Sequence, residues 1–115
     1  MSLNAYKAAQ AATEDPRVTE YRIFGQVTGA LLNAKESNAI GTPLVEAVDW
    51  NRRLWRTLAA DCMDDRNTLT QDVRAKIISL SLWVSKYSRS VTREKAPLDP
   101  LIEINRNIMQ GLQAS

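Results

Sequence analysis

Few side chains in this sequence are of the types that carry out catalysis or bind metals. The chain has no histidine, so the commonest general base and the commonest metal ligand are both missing. Its one cysteine, Cys62, lies on the apolar face of a predicted helix, where a free thiol behaves as a small hydrophobic side chain. A carboxylate cluster at Asp61, Asp64 and Asp65 lacks the alternating ligands and the turn glycine of a calcium loop. We therefore expect no enzymatic activity, no metal, no cofactor and no small-molecule substrate.

A run of aromatic and basic residues, Trp50–Arg56, has the composition of a surface that stacks bases and contacts phosphates. Two observations favour a helix with one core face and one charged face instead. Arg53 follows Asp49 by four residues, which is a favourable helical pair. Trp55 lies on an apolar stripe together with other core-type residues. The pattern therefore argues against direct RNA binding.

Two further groups of residues could serve a protein partner. Lys86, Arg89 and Arg93 form a basic stripe near the end of a predicted helix, where they either contact a partner or complement the helix dipole. Trp50 and Trp83 lie off the main apolar stripes of their helices. Each of these tryptophans is therefore either half-buried at a helix junction or exposed as an anchor for a partner.

Length and composition indicate one helical domain spanning residues 1–115. A chain of 115 residues with 44% hydrophobic residues can form one modest core. Its formal net charge of +2 is far from the strongly basic balance that marks most nucleic-acid-binding domains. The sequence opens without a basic-then-apolar leader and has no apolar run of about 18 residues. We therefore expect a cytoplasmic protein without membrane insertion.

The apolar spacing and the helix-start signals predict an all-α bundle of four to five helices. Three prolines directly follow capping residues, at Asp15-Pro16, Thr42-Pro43 and Asp99-Pro100, as at the first turn of a helix. The predicted helices are Leu3–Thr13, Pro16–Lys35, Pro43–Met63, Thr70–Thr92 and Pro100–Leu112. The fourth of these has the widest apolar stripe, so we expect it to be the central helix.

The main apolar stripes predict which residues meet in the core. The expected members of one shared core are Trp55, Leu58, Ile77, Leu80 and Val84. Asn51 lies on the same face as Trp55 and is expected to bridge helices by hydrogen bonds. On the last helix, Ile102 and Met109 are expected to lie on a different side from the stripe of Leu101 and Ile108.

Five short segments, spread from one end of the chain to the other, carry a resemblance to a known family. They are Ser2–Tyr6, Thr19–Phe24, Trp50–Trp55, Ile77–Ser85 and Leu101–Leu112. In this order they resemble the bacterial flagellar biosynthesis regulator family FlaF, and none of them is a catalytic signature. The resemblance implies a role in flagellum assembly. FlaF-like proteins are needed for flagellin production and export, are regarded as dedicated secretion chaperones for flagellin, and act alongside FlbT, a post-transcriptional regulator of flagellin synthesis.

The resemblance makes flagellin the expected partner and FlbT a further one. Apolar residues outside the main stripes are concentrated on the last two predicted helices, so we expect a groove there that holds a flagellin segment as an added helix. The candidate flagellin-binding residues are Ile78, Leu82, Trp83, Ile104, Met109 and Trp50. The alternative function is post-transcriptional regulation of flagellin synthesis, acting on flagellin mRNA or through FlbT.

Overall fold

The computed structural model describes residues 16–114, and within them the side chains of residues 21–111. This part of the chain folds into four helices and contains no strand. The helices are α1 (Pro16–Glu36), α2 (Gly41–Met63), α3 (Gln71–Glu94) and α4 (Asp99–Ala114). The all-α prediction is confirmed for these residues, while the predicted helix over Leu3–Thr13 lies outside them.

The helix starts agree with the sequence signals to within two residues. The α3 helix begins one residue after Thr70, the predicted start, and the Thr70 hydroxyl caps it by accepting a hydrogen bond from the Val73 amide at 3.4 Å. The α2 helix begins at Gly41, two residues before Pro43, and Gly41 has a left-handed φ of 62°. Pro43 therefore occupies a later position of the first turn than the cap-then-proline rule predicts. Proline is tolerated there because amides of the first turn have no intrahelical acceptor.

Side chains from α3 and from the preceding loop close the carboxyl end of α2. The guanidinium of Arg74 donates from Nε to the Cys62 carbonyl at 2.6 Å and from Nη2 to the Asp64 carbonyl at 3.1 Å. The Asn67 amide donates to the Asp61 carbonyl at 2.9 Å. The last carbonyls of a helix lack intrahelical donors, so these bonds satisfy them and fix the start of α3 against the end of α2.

The core is built around Trp55 and Phe24, neither of which has exposed surface. Their rings meet edge to face, with centroids 5.5 Å apart at 82°, an arrangement that aromatic quadrupoles favour. The predicted core is confirmed, because Trp55, Leu58, Ile77 and Val84 are buried and Leu80 is partly buried against them. Cys62, the one cysteine of the chain, is also buried in this core.

The α1 and α2 helices are the two inner helices, since α1 packs against α2 and α4 and α2 packs against α1 and α3. The prediction that the fourth predicted helix, now α3, is central is wrong, because α3 packs closely only against α2 and contacts α4 sparsely. The reason lies in the narrow stripe that α3 buries, which consists of Ile77, Ser81, Val84, Ser88 and Val91. This stripe fits one neighbour, and the other apolar residues of α3 remain at its edges or in solvent.

The α4 helix packs mainly against α1. It buries Leu101, Ile102 and Asn105, so the buried face is centred on Asn105. Ile102, expected on a different side from the stripe of Leu101 and Ile108, is therefore part of the same buried face as Leu101. The predicted stripe of Leu101 and Ile108 forms one edge of the buried face of α4, and Ile108 is only partly buried.

A buried amide connects α4 to α1 and α2. Asn105 has no exposed surface, accepts a hydrogen bond from the Trp55 indole at 2.8 Å, and donates to the Asn51 side-chain oxygen at 2.8 Å and to the Thr28 hydroxyl at 3.1 Å. The Ser81 hydroxyl of α3 donates to the Trp55 carbonyl at 3.2 Å. All four helices therefore meet in one polar network, which confirms the bridging role predicted for Asn51.

Two further contacts position the start of α4. The Tyr87 hydroxyl of α3 donates to the Pro97 carbonyl at 2.7 Å, and Lys35 of α1 forms an exposed ion pair with Asp99 at 2.6 Å. Burial, and then the negative charge of Asp99, raise the pKa of Tyr87 above its usual value of 10.0. The hydroxyl therefore remains a hydrogen-bond donor to higher pH in the folded state than in the unfolded state.

Asn105→Ala is expected to lower the free energy of unfolding by about 3 kcal/mol or more. The substitution leaves the Trp55 indole and the Asn51 oxygen buried without partners, at about 1–3 kcal/mol each, and adds a small cavity. Asn107→Ala is the matched control, because Asn107 is exposed on the same helix and should change stability by no more than about 0.5 kcal/mol. Urea unfolding followed by circular dichroism measures both. Equal losses in the two variants would contradict the network's role.

Tyr87→Phe is expected to lower stability by about 1 kcal/mol near neutral pH, because the Pro97 carbonyl loses its donor. The raised pKa of Tyr87 also contributes to the free energy of unfolding. This contribution is fully present below the unfolded-state pKa of about 10. It is lost as the pH rises through the folded-state pKa, because the unfolded chain ionises first. The parent should therefore lose stability more steeply than the variant above about pH 10.

Urea unfolding at about pH 7 and about pH 11 compares the two proteins below and above the tyrosine pKa. Tyr21→Phe is the control, since Tyr21 is 38% exposed on α1 and its hydroxyl should contribute little at either pH. Parallel pH curves for the parent and Tyr87→Phe would show that the Tyr87 hydroxyl is not protected by the fold.

Candidate partner-binding surface

Two adjacent apolar side chains, Leu82 and Trp83, are exposed on the side of α3 that faces away from α2. Leu82 is 69% exposed and Trp83 is 38% exposed. The residues that α3 buries occupy the opposite side, because side chains repeat every 3.6 residues around a helix. The packing of the described helices therefore leaves this pair of side chains available to another molecule.

Trp83 is held in place by its neighbour one turn later. Its ring is stacked on that of Tyr87, with centroids 5.0 Å apart at 15°, and Tyr87 is itself fixed by its bond to Pro97. A shallow depression lined by Ala75, Lys76, Ser79 and Leu80 lies one turn before Trp83. The indole is therefore supported on one face and open on the other, as in a rigid aromatic anchor.

The candidate residues on α3 form two neighbouring patches. Ile78 is partly buried against the core and lies four residues before Leu82, on the same side of the helix. Trp83 is rotated by about 100° from Leu82 and shares its side with Leu80 and Tyr87. The structure thus brings together three predicted candidates on the exposed side of α3. Leu82 lies within this side, and Ile78 and Trp83 lie at its two edges.

The candidates on α4 are less exposed than predicted. Ile104 is partly buried and packs against the core. Met109 is also partly buried, and its sulfur accepts a hydrogen bond from the Thr28 hydroxyl of α1 at 3.9 Å. Met109 therefore already contacts α1, and Ile104 is also engaged in the core rather than exposed beside Leu82 and Trp83.

Trp50 is 38% exposed but belongs to a different depression. That depression lies between the end of α1 and the first half of α2, and its lining residues include Ala30, Ala34 and Ala47. The α3 helix contributes no residue to it. The structure therefore separates Trp50 from the exposed face of α3.

The exposed face of α3 is bordered by basic residues. Between Asp72 and Glu94 the helix has five basic residues and no acidic one. Arg74 closes the end of α2, while the other four are exposed and form no ion pair within the described part of the chain. These four are Lys76, Lys86, Arg89 and Arg93. We refer to Leu82, Trp83 and these four cations together as the outer face of α3.

Sequence reasoning found three of the cations but missed Lys76 and the absence of acidic residues between Asp72 and Glu94. The lack of acidic residues in this stretch could have been noticed in the sequence, because exposed helices usually pair opposite charges at a spacing of four. It also missed the network partners Asn105 and Ser81. The apolar neighbours of Asn105, Leu101 and Ile102, were the available sign that this amide would be buried.

The aromatic and basic run over Trp50–Arg56 does not form a continuous stacking surface. Trp55 has no exposed surface, so it cannot stack on bases. Arg53 forms the predicted ion pair with Asp49 at 3.3 Å. The structure therefore supports the interpretation of this run as a core face backed by a charged face.

Of the three carboxylates near the end of α2, Asp64 is engaged by its neighbour Arg66. Asp64 accepts hydrogen bonds from the amide and the guanidinium of Arg66 at 2.8–3.1 Å, and the bond with the Arg66 side chain lowers the pKa of Asp64. Within residues 16–114 no group of three or more His, Cys, Asp or Glu side chains could hold a metal ion. In the same range no helix is both long enough and apolar enough to span a bilayer.

Comparison with known proteins gives one match. A sequence model of the family described as flagellar protein FlaF matches residues 2–112, in agreement with the resemblance carried by the five sequence segments. No curated protein and no solved structure matches the chain. Since the family match covers nearly the whole sequence, the chain belongs to the flagellar protein FlaF family, which implies a role in flagellum biogenesis.

Proposed function

We propose that this protein is a cytoplasmic, non-catalytic accessory factor that binds flagellin as a secretion chaperone and thereby supports its synthesis and export. The observation that carries the proposal is the exposed pair Leu82 and Trp83, at 69% and 38% exposure. They lie on a helix whose buried face is already complete. Family membership gives the biological context, flagellum biogenesis.

The geometry suits the binding of an apolar helical segment. An amphipathic helix is recognised when its apolar anchors fit against an apolar surface on the partner. Leu82 offers an aliphatic contact and Trp83 a rigid ring supported by Tyr87, and Ile78, one turn before Leu82, extends the apolar surface at its edge. Covering these residues with a flagellin segment would shield that segment from aggregation without any chemical step.

The structure reduces the set of candidate contacts. Met109 already packs on Thr28 and Trp50 lies in a separate depression between α1 and α2. The proposed flagellin site is therefore centred on α3, at Leu82 and Trp83, with Ile78 at its border. The expected groove between the last two helices becomes an exposed face of α3, because α3 and α4 contact each other only sparsely.

The alternative function is post-transcriptional regulation of flagellin synthesis, acting on flagellin mRNA or through FlbT. The observation in its favour is the set of four exposed cations on α3. The burial of Trp55 removes the other surface that could have stacked bases. Binding to flagellin mRNA would weaken steeply with added salt, whereas binding of an apolar segment to Leu82 and Trp83 keeps a large salt-independent part.

Trp83→Ala is expected to weaken flagellin binding by about 2 kcal/mol, the size of an aromatic hot spot. The indole is more than one third exposed, so the variant should keep its helicity and lose no more than about 1 kcal/mol of stability. Binding is measured by titration of monomeric flagellin with the purified full-length protein, and folding by circular dichroism and thermal unfolding.

Trp50→Ala is the matched control, because Trp50 is the same residue type with the same 38% exposure. It should bind flagellin as tightly as the parent. A loss of flagellin binding in Trp50→Ala alone would indicate that the flagellin site is the depression between α1 and α2. Unchanged binding in both variants would show that neither tryptophan anchors flagellin.

A further inference from the structure

The exposed cations of α3 are arranged around its apolar pair. Lys86 and Arg89 follow Leu82 by four and seven residues, so they continue the line of Leu82 along the helix. Lys76 precedes Trp83 by seven residues and lies on the same side as the indole. At about 1.5 Å per residue, the stretch from Lys76 to Arg93 is about 25 Å long. This length matches a docked helix of about five turns.

The dipole of α3 does not account for this charge. Cations complement a helix carboxyl end only within its last turn, and α3 ends at Glu94. Arg93 lies in that turn, whereas Lys86 lies two turns earlier and Lys76 more than four. Arg89 is three residues from Lys86 and four from Arg93, so like charges repel along the face. The isolated protein gains nothing from this repulsion.

We propose that the outer face of α3 binds an amphipathic helix of flagellin in which acidic residues flank the apolar anchors. The inference rests on the proposed function and adds the chemistry of the bound segment. The anchors of the partner helix cover Leu82 and Trp83, and its carboxylates lie over Lys86 and Arg89 at one end and Lys76 at the other. Charge complementarity then sets the orientation and the rate of association, while the apolar contact supplies most of the affinity.

A protein helix fits this face better than a nucleic acid does. Leu82 is the more exposed side chain of the apolar pair, at 69%. An aliphatic side chain makes only weak contacts with a phosphate or a stacked base. One ring face of Trp83 is already covered by Tyr87, which leaves a single open ring rather than a series of stacking platforms. An apolar centre with charges at its border is the usual anatomy of a protein interface.

The test is a charge reversal on this face, Lys86→Glu with Arg89→Glu in one protein. The control is Arg56→Glu with Arg106→Glu, which makes the same change in net charge at exposed positions of α2 and α4. The first variant should bind monomeric flagellin about tenfold more weakly than the parent, and the control within about twofold. Parent affinity should also fall about tenfold between about 50 mM and about 500 mM NaCl. Circular dichroism verifies that both variants are folded.

A second probe separates this inference from the proposed function. It is a designed helical peptide of about 18 residues, the length of the outer face, with leucine anchors and glutamate flanks. Its counterpart carries lysine at every glutamate position. The parent should bind the acidic peptide only, and the Lys86→Glu, Arg89→Glu variant should prefer the basic one.

The outcomes are distinct. If flagellin affinity is unchanged by the charge reversal and by added salt, the inference is overturned and the proposed function stands. If flagellin does not bind the parent, the proposed function fails and the inference about the flagellin segment fails with it. If neither probe binds, the inference is wrong. Preferential binding of a flagellin mRNA fragment, lost on the same reversal, would replace it with an RNA site.

Discussion

The arrangement of the helices depends on the buried amide of Asn105. Its hydrogen bonds with Trp55, Asn51 and Thr28 can form together only at one rotation and one height of α4 against α1 and α2. Apolar contacts are non-directional and would tolerate several arrangements, whereas a buried amide without partners is strongly unfavourable. The Trp55 carbonyl extends the same constraint to Ser81 of α3. Hydrophobic burial supplies the stability, and this network specifies which packing is adopted.

The packing order of the helices explains why one side of α3 remains available. The α4 helix packs mainly against α1 and the α3 helix against α2, so α3 and α4 contact each other only sparsely. The α3 helix then has one close neighbour, and its buried stripe is completed by two serines rather than by bulky side chains. Leu82 and Trp83 therefore stay in solvent although α3 is firmly fixed at both ends, by Arg74 and by Tyr87. A partner would meet a surface that needs little reorganisation.

The helical fold could be predicted from the sequence because apolar periodicity and capping residues act locally, as the start of α3 after Thr70 shows. Which helices pack against each other could not be predicted from the sequence. The apolar stripe of α3 is compatible with a central position, whereas in the structure α1 and α2 are the inner helices and Asn105 of α4 bonds to both of them. The same limit affected the site. Leu82 and Trp83 were recognisable as lying off the main stripe, but Met109 and Ile102 were not recognisable as contacts of α1 and the core, since that requires the rotation of α4.

The cations beside Leu82 and Trp83 also affect how copies of this protein meet each other. Adjacent exposed apolar side chains normally promote self-association. If two copies approached through the outer face of α3, Lys86 and Arg89 of one copy would lie against cations of the other, and like charges in contact oppose association. The same charges attract a helix with acidic flanks. One set of residues thus opposes association between copies and favours a partner of opposite charge, so the apolar pair can remain exposed on a small domain until such a segment arrives.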